Sequence, residues 1–371
     1  MRTTLLRLTL PAIALSATLS LAEIPGNEDD KKFDDFVKNL DLEASESYEF
    51  HFKDSGTSVG FKISEPDKRK KGMFVPENSA THLEGEVIAY RLSRYLGVSD
   101  IFNPSAYYTL GPQAINRFSG ILRSSESNKW RRENTGNIRS AIAKSPDSLL
   151  GIYKYRSKRE SQGVEILASG NRFNTSQSFA KFLTGGGTMP GTDTMSFRGI
   201  VPDEPGYPAP LEMECVLADQ LSTIFVIDAL CGQWDRFSGG NIEVYAHKSG
   251  RLQFVGRDNG GSNLLWGRSW YSRYKGWVTR FDKPLIEELR KLNQFLGDQS
   301  TPYHGLSDKP ELQKQLGFMS DSSFAEFEWR VKDFVEVHVP ACEKKYGEAA
   351  YFKIPAPDSE SEAGPAASST Q

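Results

Sequence analysis

Residues 227–262 of the chain read IDALCGQWDRFSGGNIEVYAHKSGRLQFVGRDNGGS. The apolar spacing that leads into this stretch predicts a long helix over 211–232. Two short apolar runs, 242–245 and 252–255, flank a Lys-Ser-Gly turn and predict a β-hairpin. The stretch therefore indicates a helix, a short loop, a hairpin and a glycine-rich turn, in that order.

Two acids frame this hairpin. Asp235 precedes it, Asp258 follows it, and Asn241 stands between them. Because a hairpin brings its two ends close together, we expect the two carboxylates to converge. Phosphoryl transfer uses such a set, with one Asp beside the acceptor hydroxyl and a second Asp, often joined by an amide oxygen such as that of Asn241, on the metal ions. Hard oxygen ligands suit Mg²⁺ or Mn²⁺. The alternative is that both acids only form turns beside glycine.

A second hairpin lies upstream, at 48–52 and 59–63, and it carries a candidate cation. Lys62 lies in its second strand, and alternation places Gly60 on the same face. A small residue at that position leaves room for a flat nucleotide base. A solvated strand lysine is the alternative for Lys62, and Lys53 is a second candidate cation.

The helix that follows supplies a glutamate. Apolar spacing predicts this helix over 83–96, with Gly97 ending it. Glu86 lies on an early turn, and Glu84 is its rival. Kinases pair a strand lysine with a glutamate on the next helix, which makes Lys62 and Glu86 the predicted pair.

Three patches of the chain resemble one family, the secretory-pathway kinases of the Golgi casein kinase and Four-jointed type. From Glu86 the helix reads EVIAYRLSRYL and is similar to the family's E-I-A-A-F-H-L-D-R-I-L. Residues 227–236 read IDALCGQWDR and resemble its D-x-L-I-G-N-M-D-R-H, while residues 258–260 match its D-N-G. More distantly, the chain's D-R-x-x-x-x-N and D-x-G are similar to the motifs D-R-x-x-x-N and D-x-G of the phosphatidylinositol kinases.

This resemblance implies an α+β, bilobal, protein-kinase-like fold with a small β-rich N-lobe and a mainly helical C-lobe. It covers roughly residues 48–345, with the N-lobe at about 48–115 and the C-lobe at about 116–345. It also implies ATP as a cofactor, together with Mg²⁺ or Mn²⁺.

The resemblance assigns roles to the candidate residues as well. Asp235 would be the catalytic Asp, and Asp258 would be the metal ligand. Lys62 falls where the family's nucleotide lysine belongs and would contact phosphates beside Gly60. Glu86 would hold this lysine or the metal.

The chain departs from the family at several points. Phe237 stands where the family has His after D-R. Asn241 follows Asp235 by six residues, where the common kinase spacing is five. The family's dense set of cysteines is absent, since the chain has only three Cys, so its disulfide framework does not carry over.

The N-terminus predicts export. Arg2 and Arg7 precede an uncharged run that ends in the small residues of Ser20-Leu21-Ala22, which indicates a signal peptide over residues 1–22. The run is shorter than the roughly 20 residues of a membrane span, although an uncleaved anchor is the alternative. We therefore expect a secreted or periplasmic protein with no stable membrane span after cleavage. The signal is bacterial in style and suggests a bacterial relative of the family.

Other segments carry weaker signals. Residues 23–47 predict a helical extension, and the Pro-, Ala-, Ser- and acid-rich residues 355–371 predict a disordered tail. Residues 65–80 predict a charged loop, and residues 266–281 predict an aromatic loop that either meets the substrate or packs in the C-lobe. Residues 120–210 are the least informative part of the chain.

Composition excludes several function classes. The net charge is −3, and the chain has no long basic run, which argues against nucleic-acid binding. The five His and three Cys show no zinc-site spacing. No G-x-S-x-G or H-E-x-x-H motif of a hydrolase is present.

The sequence thus predicts a secreted, ATP-dependent kinase that phosphorylates a hydroxyl of an exported protein, on Ser or Thr, or of a glycan. Two alternatives stay open. One is a pseudokinase or nucleotide-binding module of the same fold, which the departure at Phe237 favours. The other is a transferase of this fold that moves an adenylyl or glutamyl group.

Overall fold

The computed structural model describes fourteen stretches of the chain. The predicted signal peptide, the predicted tail, the turns of both hairpins and Phe237 lie outside them. The described residues are 24–44, 47–53, 59–65, 70–78, 81–122, 129–155, 164–165, 183, 185, 210–236, 241–246, 252–265, 268–299 and 301–353.

Five antiparallel strands form the first sheet, in the order β1-β2-β3-β5-β4. The predicted hairpin of β1 and β2 is present, and Phe52 pairs with Phe61. The strands are β1 (Glu49–Phe52), β2 (Phe61–Ser64), β3 (Lys70–Pro76), β4 (Ser105–Leu110) and β5 (Leu149–Tyr155).

Two of these strands correct the sequence analysis. The charged loop predicted at 65–80 is wrong, because β3 runs through it and pairs with both β2 and β5. No strand was predicted at 149–155, where β5 lies between β3 and β4. β5 also carries the first sheet beyond residue 115, where the sequence analysis ended the N-lobe.

The sheet has two differently covered faces. On one face, the Phe61 and Phe74 rings contact Phe118, with ring centroids 3.8 and 6.2 Å apart. On the other face, Val75 and Ile152 are buried together with Leu83 and Val87 of the following helix. This helix, α2 (Leu83–Tyr95), has nearly the predicted bounds, and Gly97 follows it with a φ of 72° in the left-handed region.

An N-terminal helix, α1 (Glu28–Lys38), holds α2 from outside. Arg94 of α2 donates to both carboxylate oxygens of Asp34 at 2.8 Å, and Tyr90 donates to Asp30 at 2.7 Å. A helix is therefore present within the predicted extension 23–47, and it is part of the packed structure. Two further helices, α3 (Pro112–Ile121) and α4 (Lys129–Lys144), lie between β4 and β5 in the chain.

The rest of the described chain is mainly helical, so the α+β class is confirmed. The predicted aromatic loop at 266–281 is largely helix, and its Tyr271 and Tyr274 are buried. Within the described segments, no helix is long and apolar enough to cross a bilayer. The helices are α5 (Pro210–Cys231), α6 (Arg268–Trp277), α7 (Lys283–Asp298), α8 (Lys309–Leu316), α9 (Asp321–Asp333) and α10 (Val339–Tyr346).

A second, three-stranded sheet contains the predicted downstream hairpin. Its order is β6-β7-β8, with β6 (Val164–Glu165), β7 (Ile242–Ala246) and β8 (Leu252–Gly256). Ile242 pairs with Gly256, so the residues before β7 and after β8 lie side by side.

Arg236 joins the helical part to this hairpin. Its side chain is 0% exposed, and its Nε and Nη2 donate to the two carboxylate oxygens of Asp228 on α5 at 2.7 and 2.6 Å. Its Nη1 donates to the carbonyl oxygens of Asn241 and Arg257 at 2.7 and 2.5 Å. Its Nη2 also donates to Asn259 Oδ1 at 2.6 Å. One guanidinium therefore connects α5, both ends of the hairpin and the turn that follows it.

We expect Arg236→Met to lower the free energy of unfolding by about 3–5 kcal/mol, because it leaves the Asp228 carboxylate buried without its cation. The matched control is Arg290→Met, which removes a partly exposed ion pair with Glu343 at 2.8 Å. That loss should cost less than about 1 kcal/mol. Urea unfolding of both variants measures the difference, and equal losses would contradict the role given to Arg236.

Candidate functional site

The structure brings Asp235 and Asp258 together through a shared amide. Asp235 follows α5, and Asp258 follows β8. Gln233, which is fully buried, accepts from the Asp235 backbone N–H at 2.9 Å and donates to the Asp258 carbonyl at 3.1 Å. Gly261 lies against this amide, and a Cβ there would overlap the Gln233 amide oxygen. Gln233 is a positioning residue that the sequence analysis missed.

Asn241 also holds this loop. Its Nδ2 donates to the Asp235 carbonyl at 2.6 Å, and its own carbonyl accepts from the Arg257 N–H at 2.8 Å. The structure thus places Asn241 beside Asp235 and beside Arg257, the residue before Asp258. Its role as a metal ligand stays a prediction.

The turn after β8 packs on the start of α2. Asp258 has a φ of 50°, in the left-handed region, and a short 3₁₀ turn of Asn259–Gly261 follows it. The His82 N–H, just before α2, donates to the Gly260 carbonyl at 2.9 Å. This contact brings Glu86, which is only 2% exposed, next to the same turn. Glu86 therefore lies in the site with Asp258, as the sequence predicted.

The cation paired with Glu86 is Lys154, not Lys62. Lys154 lies on β5, and its Nζ contacts Glu86 Oε1 directly and lies 3.2 Å from Asp258 Oδ1. The predicted pairing of Lys62 with Glu86 is wrong, because two strands separate β2 from β4, which holds this part of α2. The sequence signal for Lys154 was available in LLGIYKY at 149–155, a run with the apolar and aromatic composition of a strand.

Lys62 and Gly60 line the same sheet face as Lys154. Lys62 pairs with Met73, which in turn pairs with Lys154, and facing residues in a sheet share a face. The Lys62 side chain is exposed, whereas Gly60 is buried against Met73 and Val75. Their assignment to nucleotide stays a prediction.

The two aspartates have opposite electrostatic settings. Burial raises the pKa of Asp235 to about 6, and the negative charge of Asp258 acts in the same direction. Lys154 lowers the pKa of Asp258 to about 2, against an opposing effect of burial, and Lys53 adds to the lowering. The Asp258 carboxylate is therefore ionised at neutral pH, and Asp235 takes up a proton at a much higher pH than Asp258 does. Such a division of two carboxylates is typical of an acid–base site.

The donor set fits a hard divalent cation bound together with phosphate. Asp258 is ionised, its side chain is 47% exposed, and Asn241 supplies a nearby amide. Among the described residues, no three His, Cys, Asp or Glu side chains gather closely enough to hold an ion alone. Mg²⁺ is commonly held by one or two carboxylates together with substrate phosphates, and this site offers that kind of ligand.

The first part of the structure is a five-stranded antiparallel sheet with a helix that bears a glutamate. It is joined to a mainly helical part that carries two aspartates. This arrangement is a bilobal kinase-like fold. A crystal structure of the Golgi casein kinase with Mn/ADP bound has a TM-score of 0.56 at 14% identity, over 90% of this chain and 83% of that chain. A second crystal structure of the Golgi casein kinase gives 0.55 at 13%, over 88% and 80%.

At these identities the likeness shows the kinase-like fold predicted from the sequence. No protein-family profile matches the chain. No curated protein sequence matches it either.

The coupling between the aspartates can be measured in the metal-free protein. We expect the Asp235 carboxyl to titrate near pH 6, being protonated below that value and ionised above it. Asp258→Asn should lower this pKa, because it removes the neighbouring negative charge. Carbon-13 NMR of the side-chain carboxyls follows the titration.

The control for this titration is Asp147→Asn, which changes an exposed aspartate in the turn before β5 and should leave the pKa of Asp235 in place. A pKa of Asp235 that is the same in Asp258→Asn and in wild type would show that the two carboxylates are not coupled.

Proposed function

We propose that the protein is an ATP-dependent kinase that transfers a phosphoryl group to a hydroxyl. The observation that carries this proposal is the pair Asp235 and Asp258, joined by Gln233 and carrying opposite pKa shifts. Beside them lies the Glu86–Lys154 ion pair. Phosphoryl transfer depends on positioning and charge stabilisation, and these residues supply both.

Asp235 accepts the proton of the acceptor hydroxyl. The hydroxyl oxygen then forms a bond to the γ-phosphorus, while the bond from that phosphorus to the β-phosphate oxygen breaks and ADP leaves. A pKa near 6 lets Asp235 act as a base at neutral pH and still bind the proton it takes up. The carboxyl group of Glu86 also interacts with that of Asp258.

Asp258 holds the divalent cation, whose chemistry is to neutralise the charge of the phosphate oxygens. We assign Mg²⁺ or Mn²⁺ to this site because its donors are oxygen atoms. The similar Golgi casein kinase structure, which has Mn and ADP bound, supports this choice. ATP is the matching nucleotide for this chain.

The acceptor follows from the predicted export. Residues 1–22 have the sequence of a signal peptide, so we propose that the kinase works outside the cytoplasm, as a secreted or periplasmic protein. Its acceptor would be Ser or Thr of an exported protein, or a glycan hydroxyl. Trp234, which precedes Asp235 and is 44% exposed, offers a ring against which either acceptor could pack.

We expect the purified protein to transfer phosphate from labelled ATP to itself or to an acidic protein acceptor in the presence of Mn²⁺ or Mg²⁺. Asp235→Asn should lower the turnover number by about 10²- to 10⁴-fold with little change in nucleotide affinity, because only the proton acceptor is lost. Asp258→Asn should abolish transfer and the metal dependence of nucleotide binding. The exposed Asp147→Asn variant is the control.

Other results would identify the alternatives. Nucleotide binding without any transfer would indicate a pseudokinase. A product whose mass increases by an adenylyl or glutamyl group would indicate a different transferase of the same fold. A wild-type protein that binds no nucleotide with either metal would contradict the kinase proposal altogether.

A further inference from the structure

The ammonium group in this site comes from the last strand of the first sheet in chain order. We propose that Lys154 on β5, and not Lys62 on β2 or a residue of β3, binds the phosphates of a nucleoside triphosphate. This inference rests on the proposed function and names the residue that recognises the triphosphate. Kinases take this lysine from the strand before the glutamate-bearing helix, which here is β3.

Lys154 lies between two acids of the site, Glu86 and Asp258. Its Nζ contacts Glu86 Oε1 on α2 and lies 3.2 Å from Asp258 Oδ1 after β8. The Lys154 side chain is 14% exposed and that of Glu86 is 3% exposed, whereas the Asp258 side chain is 47% exposed. The ammonium group is therefore held on its buried side by Glu86 and lies beside the open carboxylate where the metal and phosphates would bind.

The packing of α2 explains why β5 supplies the cation. Ser105 on β4 donates its hydroxyl to the Glu86 carbonyl at 2.8 Å, which holds this turn of α2 at the β4 side of the sheet. Ser105 is the direct cross-strand partner of Lys154. Glu86 therefore lies over the β4–β5 ladder and not over β2.

The register excludes the neighbouring strands from this position. Lys62, Met73 and Lys154 form one row across β2, β3 and β5. Lys62 is thus two strand spacings from Lys154, about 10 Å, and its side chain is exposed. On β3, the residue in this row is Met73, which is apolar. The next residue of β3 on the same face is the buried Val75.

A second lysine reinforces the positive charge at this point. Lys53, at the end of β1, is half-buried, and its charge interacts with Asp258, Lys154 and Arg257. Lys154 on β5 and Lys53 directly after β1 therefore both act on one exposed carboxylate, that of Asp258. A polyphosphate with its metal ion has the charge distribution that matches this arrangement.

The test compares triphosphate recognition with nucleoside recognition. Calorimetry on the purified protein gives the affinity for ATP with Mg²⁺ and for adenosine. We expect Lys154→Met to weaken ATP binding by about 10- to 100-fold, because charged hydrogen bonds to the phosphates are lost. Adenosine binding should change by less than about twofold. Lys62→Met is the matched control, because it makes the same substitution in the same row of the sheet. It should change neither affinity by more than about twofold.

A second variant covers a failure of Lys154→Met to fold, which would arise from the uncompensated Glu86 carboxylate. Lys154→Met with Glu86→Gln leaves a neutral pair and should show the same selective loss of ATP affinity. Unchanged ATP affinity in either folded Lys154 variant, or a selective loss in Lys62→Met instead, would overturn the inference and leave the kinase proposal standing. Absence of both ATP and adenosine binding in wild type would overturn both.

Discussion

The buried guanidinium of Arg236 is the constraint on which the arrangement of this molecule depends. A buried charge is tolerated only when it is paired and its donors are satisfied, and here the partners come from Asp228, Asn241, Arg257 and Asn259. Those partners belong to a helix, to both ends of a hairpin and to the turn after it. Satisfying one cation therefore sets the positions of three segments at once. Asp235, the preceding residue in the chain, is positioned as a consequence.

The site itself separates two carboxylates by their surroundings. Asp258 has two lysines near it and stays ionised, whereas Asp235 is partly buried and has a negative neighbour, so its pKa rises. Gln233 joins the two backbones through hydrogen bonds of one side-chain amide. Two side chains of one residue type thus differ widely in their affinity for a proton. The pKa values of the two aspartates differ because the first sheet and α2 place charged side chains beside the turn after β8.

Much of the fold could be predicted where local signals were strong. The helix α2 and the hairpin β7–β8 follow from periodicity and turn residues, and the structure places them at nearly the predicted bounds. β3 was missed because two lysines and a glycine open it, and it becomes a strand by pairing on both sides. β5 contains Gly151, and the sequence pattern does not predict a strand there because glycine is disfavoured in strands. In the sheet a Cβ there would overlap the Phe74 ring, so the packing requires glycine.

The sequence by itself determined the acids of the candidate site, because each lies in a short motif whose neighbours set its place. Asp235 follows a long helix, Asp258 ends a hairpin, and Glu86 begins a helix, and all three lie together in the structure. Only the tertiary structure decided which lysine joins them. Lys62 and Lys154 are strand lysines in one row of the sheet, Lys53 directly follows β1, and nothing local to each distinguishes them. The strand order β2-β3-β5-β4, with α2 held over β4, selects Lys154 for Glu86, because strand order depends on contacts between residues far apart in the chain.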